Sequence, residues 1–145
     1  MLKIPDGLER LKEKVIGCAI EVHRVLGPGL LESVYRECMA LELRLAGLPV
    51  EGNRRVTIEY KGQLIADALK LDLLVARVLV IELKAVERLH AVHMAQVITY
   101  LKLSGYPAGL LMNFNAVTLK AGLRRLTHPD HYRRRSGDGV NPTGL

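Results

Sequence analysis

"VLVIELKAV", residues 78–86, is the stretch on which the fold turns. Its aliphatic run reads as a buried β-strand that ends in an acid and a base. Alternate residues of a strand share a face, so Glu82 and Lys84 point one way and Leu83 the other. Burying both charges at the end of such a strand is costly unless they pair or hold a metal.

The segment upstream supplies partners for this strand. "RRVTIEY" at 54–60 has strand character, "YKGQ" at 60–63 reads as a tight turn with Gly62 available for positive φ, and "LIADALKLDLLV" at 64–75 alternates well enough for a second strand. Together the three predict an antiparallel meander. Asp72 lies in the second strand among Leu71, Leu73 and Leu74. A two-residue turn at Ala76-Arg77 would set Asp72 opposite Ile81 and leave Glu82 on the other face. A three-residue turn at 76–78, or a bulge, would set Asp72 opposite Glu82. A shared site therefore requires an odd connection or a bulge. Asp72 and Glu82 would then offer hard oxygen ligands suited to Mg²⁺ or Mn²⁺, and the backbone carbonyl of Leu83 could add another. Lys84 would orient or activate a water beside the metal. Such a set suits phosphodiester hydrolysis.

Outside the meander, apolar residues recur with helical spacing from Gly7 to about Val25, and again from about Leu30 to Ala46, where Gly47 is a natural stop. The link, "GPGLLESVY" at 27–35, puts Gly29, Glu32 and Tyr35 on one side of a helix that Pro28 would start. Leu30, Leu31 and Val34 predict that this side faces inward. Helical spacing returns from His90 to Leu103, with Gln96 and Tyr100 one turn apart and able to hold a substrate or buttress the carboxylates. "AGLLMNF" at 108–114 reads as a buried strand, and 116–126 as a last strand in preference to a short helix. The order helix, helix, three strands, helix, strand, strand predicts an α/β (α+β) domain with a mixed, mainly antiparallel sheet flanked by helices. One domain over 1–135 is expected, followed by a disordered tail over 136–145. No GxGxxG or P-loop suggests a nucleotide cofactor.

The composition sets bounds. The chain has 145 residues, 49% of them hydrophobic and 25% charged, so a single soluble domain with a real core is expected. With 4% aromatics and no Trp, the core must be aliphatic, and a binding surface of stacked aromatics is disfavoured. The net charge of +6 permits a polyanionic partner; much of it lies in "RRL" at 124–126 and "YRRR" at 132–135, equally readable as a solvated tail. Cys18 and Cys38 lack metal-site spacing and read as buried thiols in a reducing compartment. No signal peptide or membrane-length apolar run is present, so a cytoplasmic location with no membrane partner is expected.

Gly29-x-x-Glu32, Asp72, Glu82-x-Lys84 and Gln96-x-x-x-Tyr100 resemble, in order, the motifs of PD-(D/E)XK nucleases of the RecB-like type. More narrowly, "GPGLLESVY", "LDLLV", "VIELKAVE" and "GLLMNF" look like the GxxExxY protein family, over nearly all of residues 15–126. The resemblance implies a restriction-endonuclease-like core with its metal site on the meander. It also implies that Glu32 joins that site with Asp72 and Glu82. The chain departs from the pattern at Leu71, where the motif has proline. Met94 stands where relatives often carry an acid, and Lys70 where they tend to have arginine.

Two readings follow. One is a Mg²⁺- or Mn²⁺-dependent nuclease acting on DNA or RNA, with Glu32, Asp72, Glu82, Lys84, Gln96 and Tyr100 at the site and Glu32, Asp72, Glu82 and Leu83 around the metal. The other is a catalytically silent module of the same fold that binds nucleic acid or a protein. The small size suggests a homodimer. Asp67 is expected on the face opposite Asp72 if the strand is regular, and His90 and His93 are expected to start a helix, not to bind metal.

Overall fold

The computed structural model describes residues 2–130. The expected tail at 136–145 and the basic run at 132–135 lie outside the described residues. Helix α1 (Leu8–Leu26) and helix α2 (Glu32–Leu45) come first. Strands β1 (Val50–Tyr60), β2 (Gln63–Val75) and β3 (Leu79–Lys84) follow, then helix α3 (Ala91–Ser104), strand β4 (Ala108–Asn113), a 3₁₀ turn at Lys120–Gly122, and strand β5 (Leu123–Thr127). The segment at 116–126 thus holds both alternatives, a short helical turn leading into a strand.

The five strands form one sheet in sequence order, β1-β2-β3-β4-β5. All neighbours are antiparallel except β3 and β4, which run parallel. Helix α3 makes the crossover a parallel pair requires. Helices α1 and α2 cover one face of the sheet, where Val15, Ala19, Tyr35, Met39 and Leu43 pack against Leu79, Ile81 and Leu83. Helix α3 covers the other, with Val97 and Leu101 against Leu74, Val80 and Leu111. This α3 layer sits close because β4 carries Gly109; a Cβ there would come within 2.9 Å of Val97 Cγ1. The alternation along β3 places Glu82 and Lys84 on the α3 side.

Two turns set the meander. Lys61 (φ 48°) and Gly62 (φ 81°) close β1 onto β2, as the Gly62 signal predicts. Ala76, Arg77 and Val78 connect β2 to β3, giving the pairs Val75↔Leu79, Leu74↔Val80 and Leu73↔Ile81. The connection has three residues, so one further step of this register sets Asp72 across from Glu82. Upstream, β2 is irregular: the pairing with β1 shifts between Val56 and Ile58, and Asp67, exposed, takes a φ of 54°. Asp67 therefore sits at a bulge, not on a regular alternating strand.

The start of α2 differs from expectation. The helix begins at Glu32, not near Leu30, and Leu31 is extended. Leu30, Leu31 and Val34 are 40%, 74% and 37% exposed, so they do not line an inward stripe. The inward positions are Tyr35 and Met39, one turn apart on the same face and fully buried. Residues 27–31 form a bent loop in which Gly29 adopts φ 102°, a conformation costly for any residue with a Cβ.

Candidate active site

The acid pair lies where β2 and β3 part. Their pairing stops at Leu73↔Ile81, and the carboxylate of Asp72 fills the gap, its Oδ2 accepting the N–H of Leu83 at 2.9 Å. Asp72 and Glu82 are only 7% and 5% exposed. Lys84 Nζ stands 3.6 Å from Glu82 Oε1, and Arg36 Nε 3.8 Å from Asp72 Oδ1. Both contacts are longer than good charge-assisted hydrogen bonds. Glu82 Oε2 and Arg36 Nε are buried with no hydrogen-bond partner among the described residues.

The electrostatics follow from this packing. Burial, and next the negative charge of Asp72, push the Glu82 carboxyl up to about 8, although Lys84 pulls the other way. Glu32, the first residue of α2, is raised as well, first by burial and then by Asp72, with Lys84 and Arg36 opposing. The three carboxylates and Lys84 therefore share one electrostatic neighbourhood. At Glu82 and Glu32 the cations present do not offset burial. Among the described residues, however, no three His, Cys, Asp or Glu side chains are grouped closely enough to enclose a metal by themselves.

The supports around the site come from both layers. Tyr35 is fully buried; its hydroxyl donates to the Gly27 carbonyl at 2.6 Å and accepts the Leu30 N–H at 3.1 Å. Its ring stacks on Phe114 with centroids 4.8 Å apart. Gly29 and Tyr35 thus tie down the loop that delivers Glu32. On the far side of β3, Phe114 N–H donates to the Lys84 carbonyl at 2.9 Å. Asn113 accepts the Val86 N–H and donates to the Val86 carbonyl, fixing the chain just beyond Lys84.

Gln96 Nε2 donates to the Tyr100 hydroxyl at 3.1 Å on α3, over the face that carries Glu82 and Lys84. No hydrogen bond or ion pair among the described residues joins this pair to the acids or to Lys84. Met94 packs against the α3-side core. His90 and His93 start α3, His93 Nδ1 accepting the His90 N–H at 2.9 Å. Cys18 and Cys38 are free thiols. In the basic pair at 124–125, Arg124 donates to the nearby Ala121 and Leu123 carbonyls, and Arg125 reaches Glu13 on α1. No helix among the described residues is long and apolar enough to cross a membrane.

Arg36 is the neighbour of the site that the motifs do not contain. Its signal was position alone, one turn after Glu32 on the same helix face. A sequence model of the PD-(D/E)XK nuclease superfamily matches residues 9–126, which include every residue of this cluster. No curated protein and no solved structure matches the chain.

Proposed function

Since the chain belongs to the PD-(D/E)XK nuclease superfamily, whose members generally use divalent metals, we propose that it is a Mg²⁺- or Mn²⁺-dependent nuclease hydrolysing phosphodiester bonds in DNA or RNA. The observation that carries this reading is Glu82, a buried carboxylate with one oxygen unpartnered among the described residues, set beside a second buried acid. Such a pair is expensive without a cation, and the side-chain cations nearby stand off at 3.6 and 3.8 Å.

The donor set fits a hard divalent ion. Asp72 and Glu82 would hold it through carboxylate oxygens. The Lys84 carbonyl is taken by Phe114 on the β4 side, and successive carbonyls of a strand alternate, so the Leu83 carbonyl leaves on the side of Asp72 and could be a third ligand. Glu32 would complete the set directly or through water. A divalent ion held there supplies Lewis acidity and a water of lowered pKa. Lys84 holds and orients the attacking water with its ammonium, which also opposes charge growing on the phosphate. Gln96 and Tyr100, on the same side of the sheet, would contact the substrate.

Calorimetric titration of Mn²⁺ into the wild type and into the double variant Asp72→Ala/Glu82→Ala tests the reading. Saturable binding confined to the wild type, with Mg²⁺- or Mn²⁺-dependent cleavage lost in Glu82→Ala, is the expected result. If neither protein binds the ion even with a non-hydrolysable oligonucleotide present, the nuclease reading fails. A second reading, a silent module that binds nucleic acid, is favoured by one observation: the described acids do not by themselves close around a metal. It predicts nucleic-acid binding unchanged by Asp72→Ala.

A further inference from the structure

A cleft of about 240 Å³ opens beside the acid pair, between α2 and the β1–β2 ribbon. Arg36 and Arg44 line it from α2 and Asn53 from β1; Leu73, the neighbour of Asp72, also lines it, and Glu37 is the one acid among the lining residues. Cleft and acid pair are contiguous in the sheet. The pairs Gly52↔Leu73 and Arg54↔Leu71 set Asn53 across from Asp72, as the β2–β3 register sets Asp72 across from Glu82. Among the described residues strand β1 is also the edge of the sheet, so amides along its outer side have no ladder partner there.

The two guanidinium groups are not used up by the fold. Arg36 meets Asp72 through Nε at 3.8 Å, and that nitrogen makes no hydrogen bond among the described residues. The Arg44 side chain is exposed and makes no hydrogen bond or ion pair among the described residues; its backbone carbonyl is engaged by the Gly47 N–H. They lie two turns apart on the helix row that runs through Ala40, so both can reach one anion along the cleft. Guanidinium forks match the oxygen geometry of a phosphate, and an Asn amide adds a neutral donor.

We propose that this cleft is a phosphate subsite, in which Arg36, Arg44 and Asn53 hold a backbone phosphate of the nucleic acid next to the one presented to the acid pair. The choice of a nucleic-acid phosphate as the anion rests on the nuclease reading. Glu37, exposed on the same wall, opposes anion binding and keeps the subsite weaker than its arginines alone would make it. Because Arg36 faces both the cleft and Asp72, filling the subsite would also fix the register of the strand over the acids.

The test is fluorescence anisotropy with a short labelled duplex DNA and a labelled RNA of the same sequence, in Ca²⁺, across a salt series. Arg44→Gln should weaken binding of the preferred nucleic acid about fivefold or more and reduce the slope of log affinity against log salt by about 1. Glu37→Gln should tighten binding, a sign that general loss of structure would not produce. Arg24→Gln, on α1 and paired to Glu21, serves as the remote control. Wild-type affinity and salt slope in Arg44→Gln, with both nucleic acids, would overturn the subsite, as would failure of the wild type to bind either. Cleavage in Mg²⁺ or Mn²⁺ is scored separately. A wild type that cuts with no Arg44 dependence sinks the subsite and leaves the nuclease. Arg44-dependent binding without cleavage sinks the nuclease and leaves the subsite.

Discussion

At the scale of single residues, the motif Gly29-x-x-Glu32-x-x-Tyr35 is two devices in one. Glu32 approaches the acid pair, while Gly29 and Tyr35 build the loop that places it. The Tyr35 hydroxyl satisfies one carbonyl and one amide of that loop, at Gly27 and Leu30. Tyr35→Phe keeps the stack on Phe114 and leaves both groups short of a partner. It should cost about 1–2 kcal/mol in urea unfolding, the usual penalty for breaking buried hydrogen bonds. Metal affinity should fall with it if the loop positions Glu32, and a variant that loses stability but binds Mn²⁺ as the wild type does would separate Tyr35 from the site. The presence of Tyr35 and Glu32 together was legible in the sequence; their separate duties were not. Spacing puts Tyr35 on the inward helix side, but the exposure of Leu30, Leu31 and Val34 shows that these apolar neighbours are not what turns that side inward. Arg36 was silent for a similar reason. An arginine on a helix is ordinary until a strand from elsewhere brings an aspartate to within 3.8 Å.

Among the elements, the β2–β3 connection decides whether the acids meet. The requirement for an odd connection or a bulge could be derived from alternation alone, because a one-residue slip moves Glu82 to the other face. Its fulfilment could not be derived. Ala76 and Arg77 both adopt positive φ, 52° and 59°, although neither is Gly, Asn or Asp, the residues by which such turns are recognised. The Val78 N–H still closes the turn on the Val75 carbonyl at 3.1 Å, so strand pairing on both sides imposes the conformation on residues that do not favour it. By contrast the β1–β2 turn was readable because Gly62 is there. Arg77→Gly should therefore stabilise the protein by about 0.5–1 kcal/mol, as relief of a left-handed residue outweighs the entropy that glycine adds to the unfolded chain. Equilibrium unfolding in urea reads this directly. Deleting Val78 makes the connection two residues long and should abolish Mn²⁺ binding. A shortened protein that folds, by circular dichroism, and still binds Mn²⁺ would show that Asp72 and Glu82 do not act as a pair.

For the whole molecule, the buried acids couple stability to pH and, on the nuclease reading, to metal. The folded protein holds the Glu82 proton up to about 8, whereas a glutamate in the unfolded chain releases it near 4.5. Between those values Glu82 binds more protons in the native than in the unfolded state, so its contribution to stability is greatest below about 4.5 and falls as pH rises toward 8. Glu32, raised for the same causes, adds to the trend in the same direction. A divalent ion needs the ionised carboxylate, so its affinity should rise about tenfold per pH unit below the Glu82 value while one proton is displaced. Calorimetry in buffers of different ionisation enthalpy would register that proton. Thermal unfolding completes the test. Without metal the midpoint should drop from about pH 5 to 8, and saturating Mn²⁺ should raise it most at the alkaline end; an excess of 100 times the dissociation constant stabilises by about 2.7 kcal/mol. Glu82→Gln should flatten the metal-free profile, retain the fold and lose the response to Mn²⁺. A metal-free midpoint that instead climbs between those pH values would mean that Lys84 and Arg36 already hold Glu82 ionised. The acid pair would then be a self-neutralised cluster with no call for a cation, and the case for a metal at this end of the sheet would fall with it.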